Sequence, residues 1–230
     1  MRAAVSCLWV ICFVLLLAGC GDRPVANADP KKKAKKPGAK PATKIDIDPN
    51  MYGSVPEALA DVKRLVESGN ASAGHELLKT ETWILRQGEG NVGLLSERVA
   101  DSNENLAIRM TACRILSKLG PSGRPAVIAA TDSPKKELRV KAIECLGRIK
   151  PVERASLEKL MTLIDEKDYD IRKAALLGIK ATEKEGAAAT TKLMEVLNNT
   201  SEDETIRSLA KDALKSVDPR KGLMGADKAK

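Results

Sequence analysis

The chain has 230 residues, 43% apolar and 30% charged, with a net charge of +8 and an isoelectric point near 9.2. Only five residues are aromatic, too few for the base-stacking platforms that single-strand nucleic-acid binders use. The positive excess argues for an anionic partner only if it lies on a folded part, so its position along the chain decides what it means.

Met1-Arg2 opens the chain with a positive charge, residues 3–18 are almost uninterruptedly apolar, and the run stops at Gly19-Cys20-Gly21-Asp22. A charged start, an apolar centre and a small-residue exit predict a secretory signal peptide over residues 1–19. The run is short for a membrane span, which needs roughly 20 apolar residues and flanking anchors. Leu17-Ala18-Gly19-Cys20 resembles the bacterial lipobox. The resemblance implies that Cys20 is acylated and becomes the mature N-terminus, holding the protein to a membrane through its acyl chains (palmitate among them). Gly21, rather than Asp, follows the cysteine. By resemblance to Gram-negative lipoproteins, that favours the periplasmic face of the outer membrane.

Residues 20–50 read as a disordered Lys/Ala/Pro-rich tether. The run Lys31-Lys32-Lys33-Ala34-Lys35-Lys36-Pro37 dominates it, and no large apolar residue comes between Val25 and Ile45. Such a segment buries too little surface to offset its chain entropy. The tether is +4 and the tail at 218–230 is +2 and also expected to be disordered. From Pro49 to Val217 there are 26 basic and 25 acidic residues, so the folded part is close to neutral. The lysine-rich tether is a solvated spacer that also favours anionic headgroups, at about 1 kcal/mol per charge near the surface. No nucleic-acid partner is expected.

Beyond residue 51 the aliphatic residues recur at three- and four-residue steps, with no β-alternation. Ser54-Val55-Pro56-Glu57 predicts a capping box opening a helix over 54–67, with Glu57 bonding back to the Ser54 amide. A break at Ser68-Gly69-Asn70 and a second helix over 72–86 complete a capping hairpin, residues 51–90. Four helix pairs follow over residues 91–217. First helices are predicted at 92–100, 123–130, 152–165 and 186–198, and second helices at 104–119, 135–149, 169–182 and 202–217. Asp and Ser in the turns between them accept bonds from orphan amides at the second-helix starts.

Each second helix repeats one motif, an aliphatic residue, Arg, Ala three positions on and an aliphatic residue four further on. The copies are Ile108-Arg109…Ala112…Leu116, Leu138-Arg139…Ala142…Leu146, Ile171-Arg172…Ala175…Ile179 and Ile206-Arg207…Ala210…Leu214. The arginines are 30, 33 and 35 residues apart, the period of a stacked-helix solenoid. The fullest copy, Asp132-Ser133…Leu138-Arg139…Ala142…Leu146-Gly147, resembles HEAT repeats of the short, phycobilin-lyase-like kind. The resemblance implies an all-α, right-handed α-solenoid whose second helices line an inner surface. It also implies a ladder in which the turn residues Asp101, Asp132 and Asp165 pair with arginines among Arg109, Arg139 and Arg172, with Arg207 as the last motif arginine.

Catalytic chemistry finds little support. There is one histidine, His75, without cysteines or paired carboxylates at ligand spacing, so no metal site is expected. No phosphate-binding loop, Gly-x-Ser-x-Gly elbow or His-Glu-x-x-His string occurs. Cys113 and Cys145 sit at motif offsets +4 and +6, which predicts buried free thiols that do not face each other. No cofactor, small-molecule substrate or enzymatic activity is expected.

Charge is unevenly divided within the folded part. The four second helices total +7, leaving −6 for the rest of the neutral fold. A mildly basic inner surface around Arg114, Lys118, Lys141 and Arg148 is therefore the candidate binding face for an acidic protein partner. The expected function is a membrane-anchored, non-catalytic protein-interaction scaffold. The alternative, which follows only from the family resemblance, is a phycobilin-lyase-like enzyme accessory or lyase.

Overall fold

A computed structural model describes residues 46–70 and 72–220. The signal peptide, Cys20, the tether up to residue 45 and the tail from residue 221 lie outside the described residues. All the regular structure described is helical. The elements run α1 (Val55–Ser68), α2 (Ala73–Arg86), α3 (Val92–Ala100), α4 (Leu106–Leu119), α5 (Arg124–Ala130), α6 (Lys136–Leu146), α7 (Arg154–Leu163), α8 (Tyr169–Thr182), α9 (Thr190–Asn198) and α10 (Glu204–Val217). No helix among the described residues is long and apolar enough to cross a membrane.

The capping hairpin forms where its signals place it. Ser54 accepts a hydrogen bond from the Glu57 amide at 3.3 Å, but the Glu57 carboxylate takes the Gly53 amide at 2.9 Å, one residue before the cap. The expected reciprocal bond to Ser54 is thus displaced by one position. Gly69 ends α1 in the left-handed region, φ +60°, which a glycine adopts without a Cβ penalty. The tether ends earlier than residue 50. Ile47 is buried in the core, the Trp83 indole donates to the Pro49 carbonyl at 2.9 Å, and Arg86 donates to the Ile47 carbonyl at 3.2 Å. Tyr52 stacks edge-on against Trp83 and bonds Asp61 and Thr80 through its hydroxyl. Two aromatics and one isoleucine therefore strap the incoming chain across the hairpin.

Four helix pairs follow, α3/α4, α5/α6, α7/α8 and α9/α10. Second helices pack in series, α4 on α6, α6 on α8 and α8 on α10, while α1 and α2 close the first end against α4. Asn105, Asp168 and Asp203 cap α4, α8 and α10 by accepting from amides two or three residues on. Only Asp168 is one of the expected turn residues; Asn105 and Asp203 lie inside the predicted helices 104–119 and 202–217, which start two residues later than expected. α6 begins without a side-chain cap. The last first helix is shorter than expected, because residues 183–189 wind as a 3₁₀ turn before α9.

The Arg-motif stripe is the core. Ile108, Ala112 and Leu116, with their counterparts in α6, α8 and α10, are all nearly or fully buried. They merge with the first-helix leucines and valines into one continuous apolar cluster running from the hairpin to α10. No helix pair covers its own stripe, so burial depends on the neighbour. Close approach is sharpest at Gly147. A Cβ there would lie 1.9 Å from the Gly178 carbonyl oxygen of α8, and one on Gly178 would lie 2.9 Å from the Ile143 carbonyl oxygen. Two glycines let α6 and α8 touch backbone to backbone.

Candidate functional site

The motif arginines have a structural role, with partners other than those expected. Arg109 Nε donates to the Val99 carbonyl at 3.0 Å, Arg139 Nε to Thr131 at 2.9 Å and Arg172 Nε to Ile164 at 2.8 Å. Each acceptor lies in the last turn or at the C-cap of the preceding first helix, where carbonyls have no intrahelical donor. The repeat arginine therefore ties together the two helices of its own pair. A terminal nitrogen then reaches the following repeat, Arg139 to Glu166 at 2.8 Å and Arg172 to Glu202.

The expected Asp–Arg ladder is not formed. Asp132 and Asp165 instead hold lysines of the next first helix, Lys159 at 2.8 Å and Lys192 at 2.7 Å. Asp101 closes its own turn by accepting from the Asn103 amide at 2.9 Å. Arg207, in the last pair, has a buried Nε without a hydrogen-bond partner. The repeats are thus pinned by two parallel sets of ion pairs, Arg–Glu and Lys–Asp.

Of the four candidate partner-binding residues, three come together and one stands apart. Arg114, Lys118 and Arg148 join Lys150 and Ser117 around a cavity of ≈ 360 Å³ at the C-terminal ends of α4 and α6. Cations are favourable there because helix C-termini carry partial negative charge. Arg114 and Lys118 also clamp Glu81 of α2, whose side chain is only 3% exposed. Burial, then the neighbouring Arg114 and Arg148 charges, push the Lys118 ammonium below its ordinary value. The guanidinium of Arg148 is exposed and has no carboxylate partner among the described residues. Lys141 lies further along the same face, paired with Glu144 at 2.9 Å. It borders a separate groove of ≈ 510 Å³ with an apolar floor of Met110, Val140 and Leu177 and a rim of both signs. The second-helix face therefore offers a basic end and a mixed, partly apolar middle.

Glu81 escaped sequence reasoning although a signal was present. It falls on the apolar stripe of α2, four residues after Leu77 and four before Leu85, where an acid requires a buried partner. The cysteines also depart from expectation. Cys113 and Cys145 are fully buried free thiols, near enough across α4 and α6 for each to shift the other's ionisation. The neighbouring Cys113, then Ser117, Arg148 and Lys141, hold the Cys145 thiol below its ordinary value, while Cys145 and burial push Cys113 up. His75 is exposed on α2, and no group of three or more metal-ligating side chains gathers among the described residues.

Comparison with known proteins agrees with this geometry. Residues 124–215 match the family model of HEAT repeats. Among solved structures, the complex of CpcE and CpcF of phycocyanin lyase from Nostoc sp. PCC7120 contains a similar chain. The two are 20% identical over 69% of this chain and 96% of that one, with a TM-score of 0.55. No curated protein matches the chain. At that identity the likeness carries the fold and nothing further. The fold is an all-α solenoid of HEAT-like helix pairs, and the Arg-to-carbonyl bond in α3/α4 extends the repeat pattern N-terminal to residue 124.

Proposed function

We propose that this protein is a non-catalytic scaffold that binds an acidic protein partner on its second-helix face. The observation that carries this reading is the cluster of Arg114, Lys118, Arg148 and Lys150, held on a rigid stack of helices. Glu81 and Glu185, the latter paired with Lys150, neutralise part of that charge, and Arg148 remains exposed. A fixed positive patch steers an acidic partner during encounter, and the adjoining groove floored by Met110, Val140 and Leu177 supplies apolar contact. Export and a lipid anchor at Cys20 belong to the same proposal, resting on the lipobox-like residues 17–20. They would place the scaffold on a membrane, on the periplasmic face of the outer membrane in a Gram-negative cell.

The test is charge reversal at the half-buried Lys141 and the exposed Arg148, Lys141→Glu with Arg148→Glu, in the native lipoprotein. Partner recovery by crosslinking should fall several-fold, and unchanged recovery contradicts the reading. Replacement of Cys20 by Ser should abolish labelling by an acyl-chain analogue and release the protein from the membrane fraction.

A second reading, a lyase-like accessory, is favoured by the fold likeness to a chain of a phycocyanin lyase complex. It requires a bound chromophore or cofactor. An absorbance spectrum of the protein purified from its own cells distinguishes the two. A visible band supports the accessory reading, and its absence supports the scaffold.

A further inference from the structure

The first repeat differs from the next two in a way that leaves a charge without a counter-ion. Arg139 and Arg172 each meet a glutamate from the following turn, Glu166 and Glu202. Those glutamates stand six residues before Arg172 and five before Arg207. Six and five residues before Arg139 stand Ser133 and Pro134, so the following turn offers Arg109 no carboxylate at the matching place. Arg109 is only 6% exposed. Its Nε is engaged by the Val99 carbonyl, and its two terminal nitrogens have no partner among the described residues. The side chain is nearly buried, its terminal nitrogens still reach solvent, and no carboxylate meets them as one meets Arg139 and Arg172.

Arg109 lines the base of a groove of ≈ 510 Å³ between α3 and α5. Val99, Ala126 and Ala129 give it apolar walls, and the turn residues Ser133 and Pro134 form one rim. Asp132 also borders the groove, but Lys159 holds both of its oxygens, at 2.8 and 2.9 Å. We propose that this groove binds a Glu or Asp side chain of a partner peptide, whose carboxylate takes in trans the place that Glu166 and Glu202 fill in cis. The guanidinium fork presents two parallel donors to one carboxylate, and the walls cover the flanking side-chain carbons. The site lies among the first helices and is independent of the basic cluster on the second-helix face.

Full chain in detergent micelles, labelled for NMR, provides the test, with the peptide Ac-Ala-Ala-Glu-Ala-Ala-NH2 and its Gln counterpart as probes. The Glu peptide should shift the Arg109 side-chain signals and the methyls of Val99, Ala126 and Ala129. The Gln peptide should bind at least about tenfold more weakly. The decisive variant is Ser133→Glu, which supplies the missing carboxylate in cis without touching Arg109. It should fold normally and lose the Glu peptide by about tenfold or more. Arg148→Glu should leave the peptide-induced shifts of Val99, Ala126 and Ala129 unchanged, so failure at the second-helix face and failure here are separable. Equal binding of both peptides, retention of the peptide by Ser133→Glu, or acetate binding as tightly as the peptide would each overturn the proposal. So would crosslinks showing that the chain's own tail already fills the groove.

Discussion

A single buried carboxylate, Glu81, joins the capping hairpin to the first repeat through Arg114 and Lys118. The cations keep 34% and 42% of their side-chain surface exposed and can be hydrated, whereas Glu81 cannot. Removal of the two sides should therefore be unequal. Arg114→Met with Lys118→Met should cost about 3–5 kcal/mol, because it strands a buried charge. Glu81→Gln should cost clearly less, and adding it to the double variant should restore most of the loss. Urea unfolding of the four proteins checks this, and equal losses would mean that the carboxylate is not buried in solution. At this scale the sequence was partly legible. The recurrence of Arg at one place in every repeat identifies it as structural, but its main acceptor is a backbone carbonyl, and carbonyls leave no trace in a sequence. Residue type could not separate the turn aspartates from the turn glutamates as partners. Nor could motif offsets place Cys113 beside Cys145, because helices that cross at an angle bring together residues at unlike offsets.

At the scale of elements, close contact between second helices depends on absent side chains. Gly147→Ala would drive a methyl into the Gly178 carbonyl and should cost about 1–3 kcal/mol or more as α6 and α8 separate. Gly93, exposed in α3 with nothing within 4 Å of a built Cβ, gives the contrasting case. Gly93→Ala should be neutral or stabilise by up to about 1 kcal/mol, from helix propensity alone. Thermal melts of both variants separate packing from propensity, and equal effects would contradict the helix contact. Most helix positions were readable because caps, breakers and aliphatic periodicity agree in each segment. Two boundaries were not. The strap at Ile47 depends on Trp83 and Arg86, more than thirty residues away. The 3₁₀ start of the last first helix was missed because residues 186–190, Gly-Ala-Ala-Ala-Thr, fit either winding.

Across the whole molecule, ion pairs link successive repeats, and their carboxylates set the acid limit of stability. Arg172 beside Glu202, Lys136 beside Asp168, and the Val152 amide with Lys150 beside Glu185 all hold their carboxyls below the ordinary value. Groups lowered on folding add stability that is complete above their unfolded values, near 4.5 for Glu and 3.8 for Asp, and is lost as pH falls through the folded ones. The melting temperature should therefore be flat from pH 7 to about 5 and drop steeply below about 4. High salt should soften the drop, since most of these pairs are exposed. A melting temperature unchanged down to pH 3 would show that the pairs contribute nothing. Near-neutrality of the fold and the basic bias of its second helices were both legible as charge sums. The neutralisation of Arg114 and Lys118 by Glu81 was not, because it needs the hairpin folded against α4.

On the proposed function, this solenoid works by presenting its second-helix face to a protein partner. Site-resolved photo-crosslinking in the native cells tests it directly, with the reactive group placed at Val140 or Arg148 on that face and at Glu158 or Glu195 on the first helices α7 and α9. One discrete partner adduct is expected from the first two positions and none from the others. Equal capture from all four, or capture only from Glu158 and Glu195, would contradict it.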